Sequence, residues 1–282
     1  MSIVATWIET MTADRRLSRG TRAVLKAIAD DPERASYCSA GQLAETADVN
    51  VATVTRAAQA VGFSGWPDLS TEVRNRYLSS LDARKHFERN SQLQVNQGLS
   101  SLFKDLELMQ LLSESLSQQS IERIATDIAA SRATKVLATG SYTAPGAVLA
   151  HNAQGLGYNV SLCTGSATSM INEVRLLEPG DCLVTFSIWK TSSTIDQLCE
   201  IAKERGIKLV VIADQRSHLA QIADELILVP SEGAGPMASV TCAISVVQCI
   251  VSGLAAIDPE RTARMLEDLQ ELWSRTSAVV TE

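Results

Sequence analysis

From residue 135 onward, short unbroken apolar runs alternate with segments of helical periodicity. The runs occupy 136–139, 159–163, 182–186, 209–213 and 225–229. Apolar residues three and four apart mark helices over 147–156, 169–177 and 195–205, and a short turn at 219–222 precedes the last run. A strand exposed on one face would alternate polar and apolar positions, whereas a run that is apolar throughout is covered on both faces. Five such strands separated by helices predict an α/β domain with a five-stranded parallel sheet, doubly wound in the flavodoxin-like order 2-1-3-4-5. Segments 238–257 and 261–274 predict two closing helices.

The first 90 residues carry no strand alternation and predict an all-α domain. Ser18 is placed to cap a helix in which Val24, Leu25 and Ile28 recur at helical spacing, and Asp31-Pro32 follows its end. Ser39 caps a second, short helix with Leu43 and Ala44 inward. Asp48-Val49-Asn50 predicts a tight turn, Asn50 caps a third helix reaching Val61, and Gly62 stops it. Trp66-Pro67 opens a fourth helix that runs through Tyr77. The third helix is expected to bury Val51, Val54, Ala58 and Val61, leaving Thr53, Arg56, Gln59 and Ala60 on the opposite side and Thr55 at the margin. Small Ala52 and Ala57 would let that helix approach a surface closely. Residues 91–98 are polar, uncharged and amide-rich and predict a linker between domains at 1–90 and 99–282. Two amphipathic helices, 99–117 and 119–131, begin the second domain.

The net charge of −7 over 282 residues disfavours a nucleic-acid partner until the chain is divided. Residues 1–90 hold 12 Lys/Arg against 11 Asp/Glu, and residues 91–282 hold 13 against 21. Arg15, Arg16, Arg19, Arg22 and Lys26 cluster early, and Arg74, Arg76, Arg84, Lys85 and Arg89 form a second group. Such local positive charge suits contact with phosphates. The six cysteines have neither metal-ligand nor CxxC spacing, so they are expected to be reduced, mostly buried small hydrophobes, with no metal and no cofactor. No apolar run reaches the roughly 18–20 residues of a membrane span, and the N-terminus lacks a signal-peptide layout. A cytoplasmic protein with no membrane partner is expected.

Helix 39–47, turn 48–50 and helix 50–61 have the layout of a helix-turn-helix. Arg56 and Gln59 can make paired hydrogen bonds to guanine and adenine edges, and Thr53 and Thr55 offer hydroxyls and methyls. With Ser39 and Asn50 they are the candidate DNA-binding residues. The segments Leu17-Ser18, Ile28-Ala29, Asp31-Pro32, Leu43-Ala44-Glu45, Asp48 to Arg56 and Val61 to Trp66 resemble the N-terminal domain of MurR/RpiR-type bacterial regulators. The resemblance spans residues 15–80. It implies a recognition helix beginning at Asn50, with Thr53 and Arg56 at double-stranded operator DNA. Asn50 stands for the family's usual Ser, and Ala57 stands where an aromatic residue is frequent.

In a sheet of order 2-1-3-4-5, ligands bind beyond the carboxyl ends of strands 1 and 3. Strand 1 leads into Gly140 to Gly146 and strand 3 into Ser187 to Thr194, two loops rich in hydroxyls that each enter a helix. Hydroxyls, free backbone N–H groups and the positive end of a helix together make an anion site. The candidate effector-binding residues are therefore Ser141, Tyr142, Thr143, Ser187, Lys190, Thr191, Ser192, Ser193 and Thr194, with Lys190 supplying charge. Residues 134–230 resemble the sugar isomerase (SIS) domain that accompanies this type of helix-turn-helix, and the resemblance implies a phosphosugar ligand; pairing through the closing helices into a homodimer or homotetramer is expected. Tyr142 replaces a usual Ser, Ala138 a Gly, and Ser192 the Gly of the second motif. The bulkier side chains crowd a phosphate cradle, which leaves phosphosugar and other organic anions both open.

His151 is expected to be packed or half-buried on its helix, His218 to lie in a surface loop, and Glu232 to be solvated in its Gly-rich loop. The apolar stripe of residues 237–250 reads as core or dimer interface. No catalytic set can be assembled from these residues. The resulting expectation is a non-enzymatic DNA-binding regulator answering to a small anionic metabolite, and the alternative is a sugar-phosphate isomerase or related SIS enzyme with an N-terminal accessory module.

Overall fold

A computed structural model of the chain describes residues 2–91 and 97–276. They divide into two compact units. Among these, residues 2–91 with 235–237 form the first unit, and 97–234 with 238–276 form the second. Of the predicted linker 91–98, residues 92–96 lie outside the described residues; Ser91 ends one helix and Gln97 begins the next.

The first unit is all helical: α1 (Ile3–Thr12), α2 (Arg19–Asp30), α3 (Pro32–Tyr37), α4 (Ala40–Thr46), α5 (Val51–Ala60), α6 (Trp66–Ser80) and α7 (Ala83–Ser91). The sequence pattern predicted α2, α4, α5 and α6. It missed α1, α3 and α7, which are ten, six and nine residues long. The predicted caps all form. Ser18, Ser39 and Asn50 each accept a backbone N–H three residues on, and Gln42 completes a capping box by accepting the Ser39 N–H at 2.8 Å. Each such cap contributes about 1 kcal/mol. Val24, Leu25, Ile28, Leu43, Val54, Phe63, Trp66, Leu69 and Val73 make the core.

The second unit begins with α8 (Gln97–Ser115) and α9 (Gln118–Ala130). Strands β1 (Thr134–Leu137), β2 (Val160–Cys163), β3 (Cys182–Ser187), β4 (Lys208–Ala213) and β5 (Glu225–Leu228) follow, all parallel in the order 2-1-3-4-5. Helices α10 (Thr143–Gly155), α11 (Ala167–Arg175), α12 (Ser193–Glu204) and α13 (His218–Ile222) connect the strands, and α14 (Thr241–Ile257) and α15 (Pro259–Thr276) close the unit. One face of the sheet packs Val136, Val184 and Val210 under α8, α9, α10 and α14. The other packs Leu137, Leu183 and Leu209 under α11, α12 and α13. β3 is buried at all six positions, as a central strand covered on both sides must be. The stripe along α14 belongs to the core, with Cys242, Ala243, Val246, Val247, Ile250 and Leu254 buried. No single described helix is long and apolar enough to cross a membrane.

The cysteines are free, and four are buried. Desolvation pushes the thiols of Cys163 and Cys242 up to about 11 and those of Cys182 and Cys199 to about 12. They act as packing residues rather than nucleophiles.

Leu183 is fully buried in the central strand. Leu183→Ala is expected to lower unfolding stability by about 2–5 kcal/mol in urea titration, and a loss below about 1 kcal/mol would place the sheet's core elsewhere.

Candidate nucleic-acid interface and anion pocket

Helices α4 and α5 are joined by a turn in which Asp48 takes a left-handed conformation (φ 51°), tolerated by its short polar side chain. Asn50 then organises the start of α5. Its Oδ1 accepts both the Thr53 N–H and the Thr53 hydroxyl at 2.9 Å. Thr53 Oγ1 in turn accepts from Arg56 Nη2 at 3.0 Å. Three of the predicted DNA-facing residues are thus one hydrogen-bonded chain on the exposed side of the helix. Gln59 is exposed beyond them, and its Nε2 donates to the Ser64 carbonyl at 3.4 Å. Thr55 is half-buried toward Gly65, and Ser39, although exposed, has its hydroxyl oxygen engaged in capping α4.

The buried face of α5 differs from the expected one. Val51 is 50% exposed, whereas Ala57 is fully buried with Val54, Ala58 and Val61. Asn50 as cap makes Val51 the first helical residue, one turn short of the core. The stripe 54, 57, 58, 61 follows the i, i+3, i+4, i+7 rule, which leaves Ala57 no part in any approach to DNA.

Gly20 of α2 lies against this network. A Cβ there would meet Thr53 Cγ2 at 2.8 Å, and a β-branched side chain already tied to Asn50 and Arg56 has little room to yield. At an unconstrained helix position Gly→Ala stabilises by about 1 kcal/mol. Gly20→Ala is expected to lower the thermal midpoint instead, and a rise would show that Thr53 is free to move.

In the second unit the two predicted loops meet at a cavity of about 260 Å³. Ser141, Tyr142, Lys190, Thr191 and Ser192 line it, together with Thr139, Gly140, Phe186, Trp189 and Ile195. The other four predicted residues lie outside the lining. The Thr143 hydroxyl donates to the Gly140 carbonyl at 2.8 Å, which braces the first loop. Buried Ser187 places its hydroxyl 3.0 Å from that of Thr191 and 3.4 Å from that of Ser217. Ser193, which is exposed, and Thr194 begin α12 outside the lining.

The residue that shapes the second loop escaped the sequence reading. Asp214, 6% exposed, follows β4 and accepts the Trp189 N–H at 2.9 Å and the Ser231 hydroxyl at 2.7 Å through Oδ2. Trp189 has φ 60°, and the Lys190 N–H returns to the Ile188 carbonyl at 2.8 Å, closing a three-residue turn of the strained positive-φ kind. Its signal was available: an acidic residue directly after an apolar strand, at the same sheet end as the predicted site. Lys190 Nζ lies 5.5 Å from the centre of the Trp189 ring, at the pocket wall. The Tyr142 ring stacks on Phe186 at 6.4 Å. Burial first, and the Asp214 charge second, raise the Tyr142 phenol above its ordinary value, so it stays neutral at physiological pH.

Three further expectations need correction. His151 is exposed, since it sits on the side of α10 away from the buried Leu149, Ala150 and Ala153. His218 is exposed as expected but starts α13, with Nε2 2.9 Å from Glu200. Glu232 is not a solvated loop residue; its side chain is 13% exposed, and Lys104 of α8 stands 3.6 Å away.

Asp214→Ala leaves the Trp189 N–H and the Ser231 hydroxyl without this acceptor. It is expected to cost about 1–3 kcal/mol in urea unfolding, the penalty of unpaired buried groups. Asp214→Asn, which keeps an acceptor oxygen, should cost less, and equal losses would show that Asp214 does not hold the turn.

Comparison with known proteins places both units. Residues 8–80 match the helix-turn-helix domain of the rpiR family. The sugar isomerase domain of an RpiR transcription factor from Sphaerobacter thermophilus aligns with 61% of this chain and 97% of its own, at 22% identity and a TM-score of 0.59. The Vibrio vulnificus NanR protein, solved in complex with ManNAc-6P, aligns over 97% of this chain and 98% of its own, at 16% identity and a TM-score of 0.58. A Listeria monocytogenes protein solved as a candidate sugar-phosphate isomerase covers 60% of this chain and 94% of its own, at 16% identity and a TM-score of 0.51. At these identities the likeness establishes fold: the second unit has the fold of a SIS domain. No curated protein matches the chain.

Proposed function

Residues 8–80 belong to the rpiR family of helix-turn-helix domains and share a chain with a SIS fold, and from this we propose a DNA-binding transcriptional regulator whose operator affinity is set by a small anionic metabolite. The observation that carries the reading is the exposed chain Asn50–Thr53–Arg56 on α5. A guanidinium already oriented by a neighbouring hydroxyl loses less rotamer freedom when it meets a base edge, which is what a recognition helix requires. Asn50, Thr53, Arg56 and Gln59 read bases in this proposal, while Thr55 and Ser39 flank the contact.

The metabolite occupies the cavity between the β1 and β3 loops. Ser141, Thr191 and Ser192 offer hydroxyls, Lys190 a positive charge, and the start of α12 its backbone N–H groups. Phosphosugars are the first class to test, because NanR was solved with ManNAc-6P. Other organic anions come next, because Tyr142 and Phe186 fill part of the site with aromatic surface. Among the described lining residues Lys190 and Tyr142 are the titratable ones, which favours binding over proton transfer. The protein acts in the cytoplasm as a homo-oligomer, and the pairing surface we propose includes α15, which exposes Leu266, Leu272 and Trp273.

Ligand binding changes operator affinity by its differential affinity for two arrangements of the DNA-binding units, typically about 1–3 kcal/mol. The test is fluorescence anisotropy with a labelled duplex from upstream of the protein's own gene, with random duplex as competitor, followed by a metabolite screen. Arg56→Ala should abolish the preference for the operator. Lys190→Ala and Ser192→Ala should abolish the metabolite response and spare DNA binding. No preference over random duplex at moderate salt would overturn the regulator reading, and a response intact in both pocket variants would overturn the pocket.

A further inference from the structure

The early basic cluster has a definite place beside the recognition helix, which neither its charge nor its spacing reveals. Arg15 Nη1 donates to the Ala60 carbonyl at 2.7 Å and so ties the segment after α1 to the carboxyl end of α5. Gly20, five residues on, lies against Thr53 near the start of α5. Residues 15–20 therefore run alongside α5 in the opposite sense, over a span of about 10 Å for seven helical residues. Arg16 and Arg19 fall within this stretch. Both are exposed, and among the described residues neither has an acidic partner. Lys26, further along α2, is by contrast paired with Asp30.

Exposed guanidinium groups on a segment that runs beside a groove-reading helix lie within reach of a duplex's phosphates. Base contacts specify, but phosphate contacts position the protein and supply most of the salt-dependent affinity. We propose that residues 15–20 form a strap that grips the DNA backbone through Arg16 and Arg19, with Arg15 and Gly20 holding the strap to α5. The strap sets the depth and angle at which Arg56 enters the groove and reads no sequence itself. This inference rests on the proposed DNA-reading role of α5.

The test measures binding of the full-length protein to the labelled upstream duplex and to a random duplex of equal length, from low to moderate salt. Each phosphate contact contributes roughly 0.9 to the slope of log affinity against log salt on B-form DNA. The double variant Arg16→Ala/Arg19→Ala should lower that slope by about 1.8, and do so equally for both duplexes. The double variant Arg16→Lys/Arg19→Lys should keep the slope, because the charge is retained, and Lys26→Ala should leave it unchanged. Since neither arginine is buried, the thermal midpoint should not move. A wild-type slope in the Ala double variant overturns the strap while leaving α5's role intact. A loss confined to the upstream duplex would make the arginines base readers and also overturn it. Absence of binding by the wild-type protein to either duplex removes the DNA reading and the strap together.

Discussion

Parallel strands point all their carboxyl ends the same way, and a strand order that reverses forces successive connections onto opposite faces of the sheet. In this protein α10 leaves β1 for the face that also carries α9 and α14, while α12 leaves β3 for the face that carries α11 and α13. Between the two departures the β1 and β3 loops, with Phe186 and Ile195, bound an open space. The cavity bounded by Ser141, Tyr142, Lys190 and Ser192 is that space. Its position follows from chain connectivity and handedness, so the side chains that line it can change without moving it.

Beneath the turn of the β3 loop the protein commits a buried carboxylate. Removing a charge from water is expensive unless hydrogen bonds replace the solvent. Asp214 receives them from the Trp189 backbone and the Ser231 hydroxyl, and so joins the ends of β3, β4 and β5. What this holds in place is a strained turn that brings Lys190 and the Trp189 ring to the cavity wall. Strain of this kind persists only where the surroundings over-determine it, and it clusters at binding sites. The same charge helps keep the Tyr142 phenol neutral, which leaves Lys190 as the positive charge among the lining residues.

The helix-turn-helix unit relies on local chemistry. Ser18, Ser39 and Asn50 each begin a helix by accepting a first-turn backbone N–H on the side chain. Asn50 does more than cap, since its remaining acceptor capacity orients Thr53 and, through Thr53, Arg56. The residue that starts the helix is thereby also the first link in its outward-facing polar network. Gly20 permits α2 to approach closely enough to confine that network.

The amino-acid sequence by itself determined the two folds, the strand order, the caps and the pair of loops that form the pocket. The elements and caps rest on short-range periodicity and on hydroxyl, amide and glycine chemistry at element ends, and the strand order follows from the doubly wound class that the alternation of strands and helices implies. Tertiary structure alone decided which face of α5 is buried, because Val51 and Ala57 are equally apolar in the sequence and only packing separates them. It also decided that Ser187 and Thr143 brace loops while Ser192 lines the cavity, since one hydroxyl looks like another until its partner is known. The pairings of Asp214 with Trp189, of Glu232 with Lys104 and of Arg15 with Ala60 span 25 to well over 100 residues. A long-range partner leaves no periodic trace in the chain, and folding is what selects it.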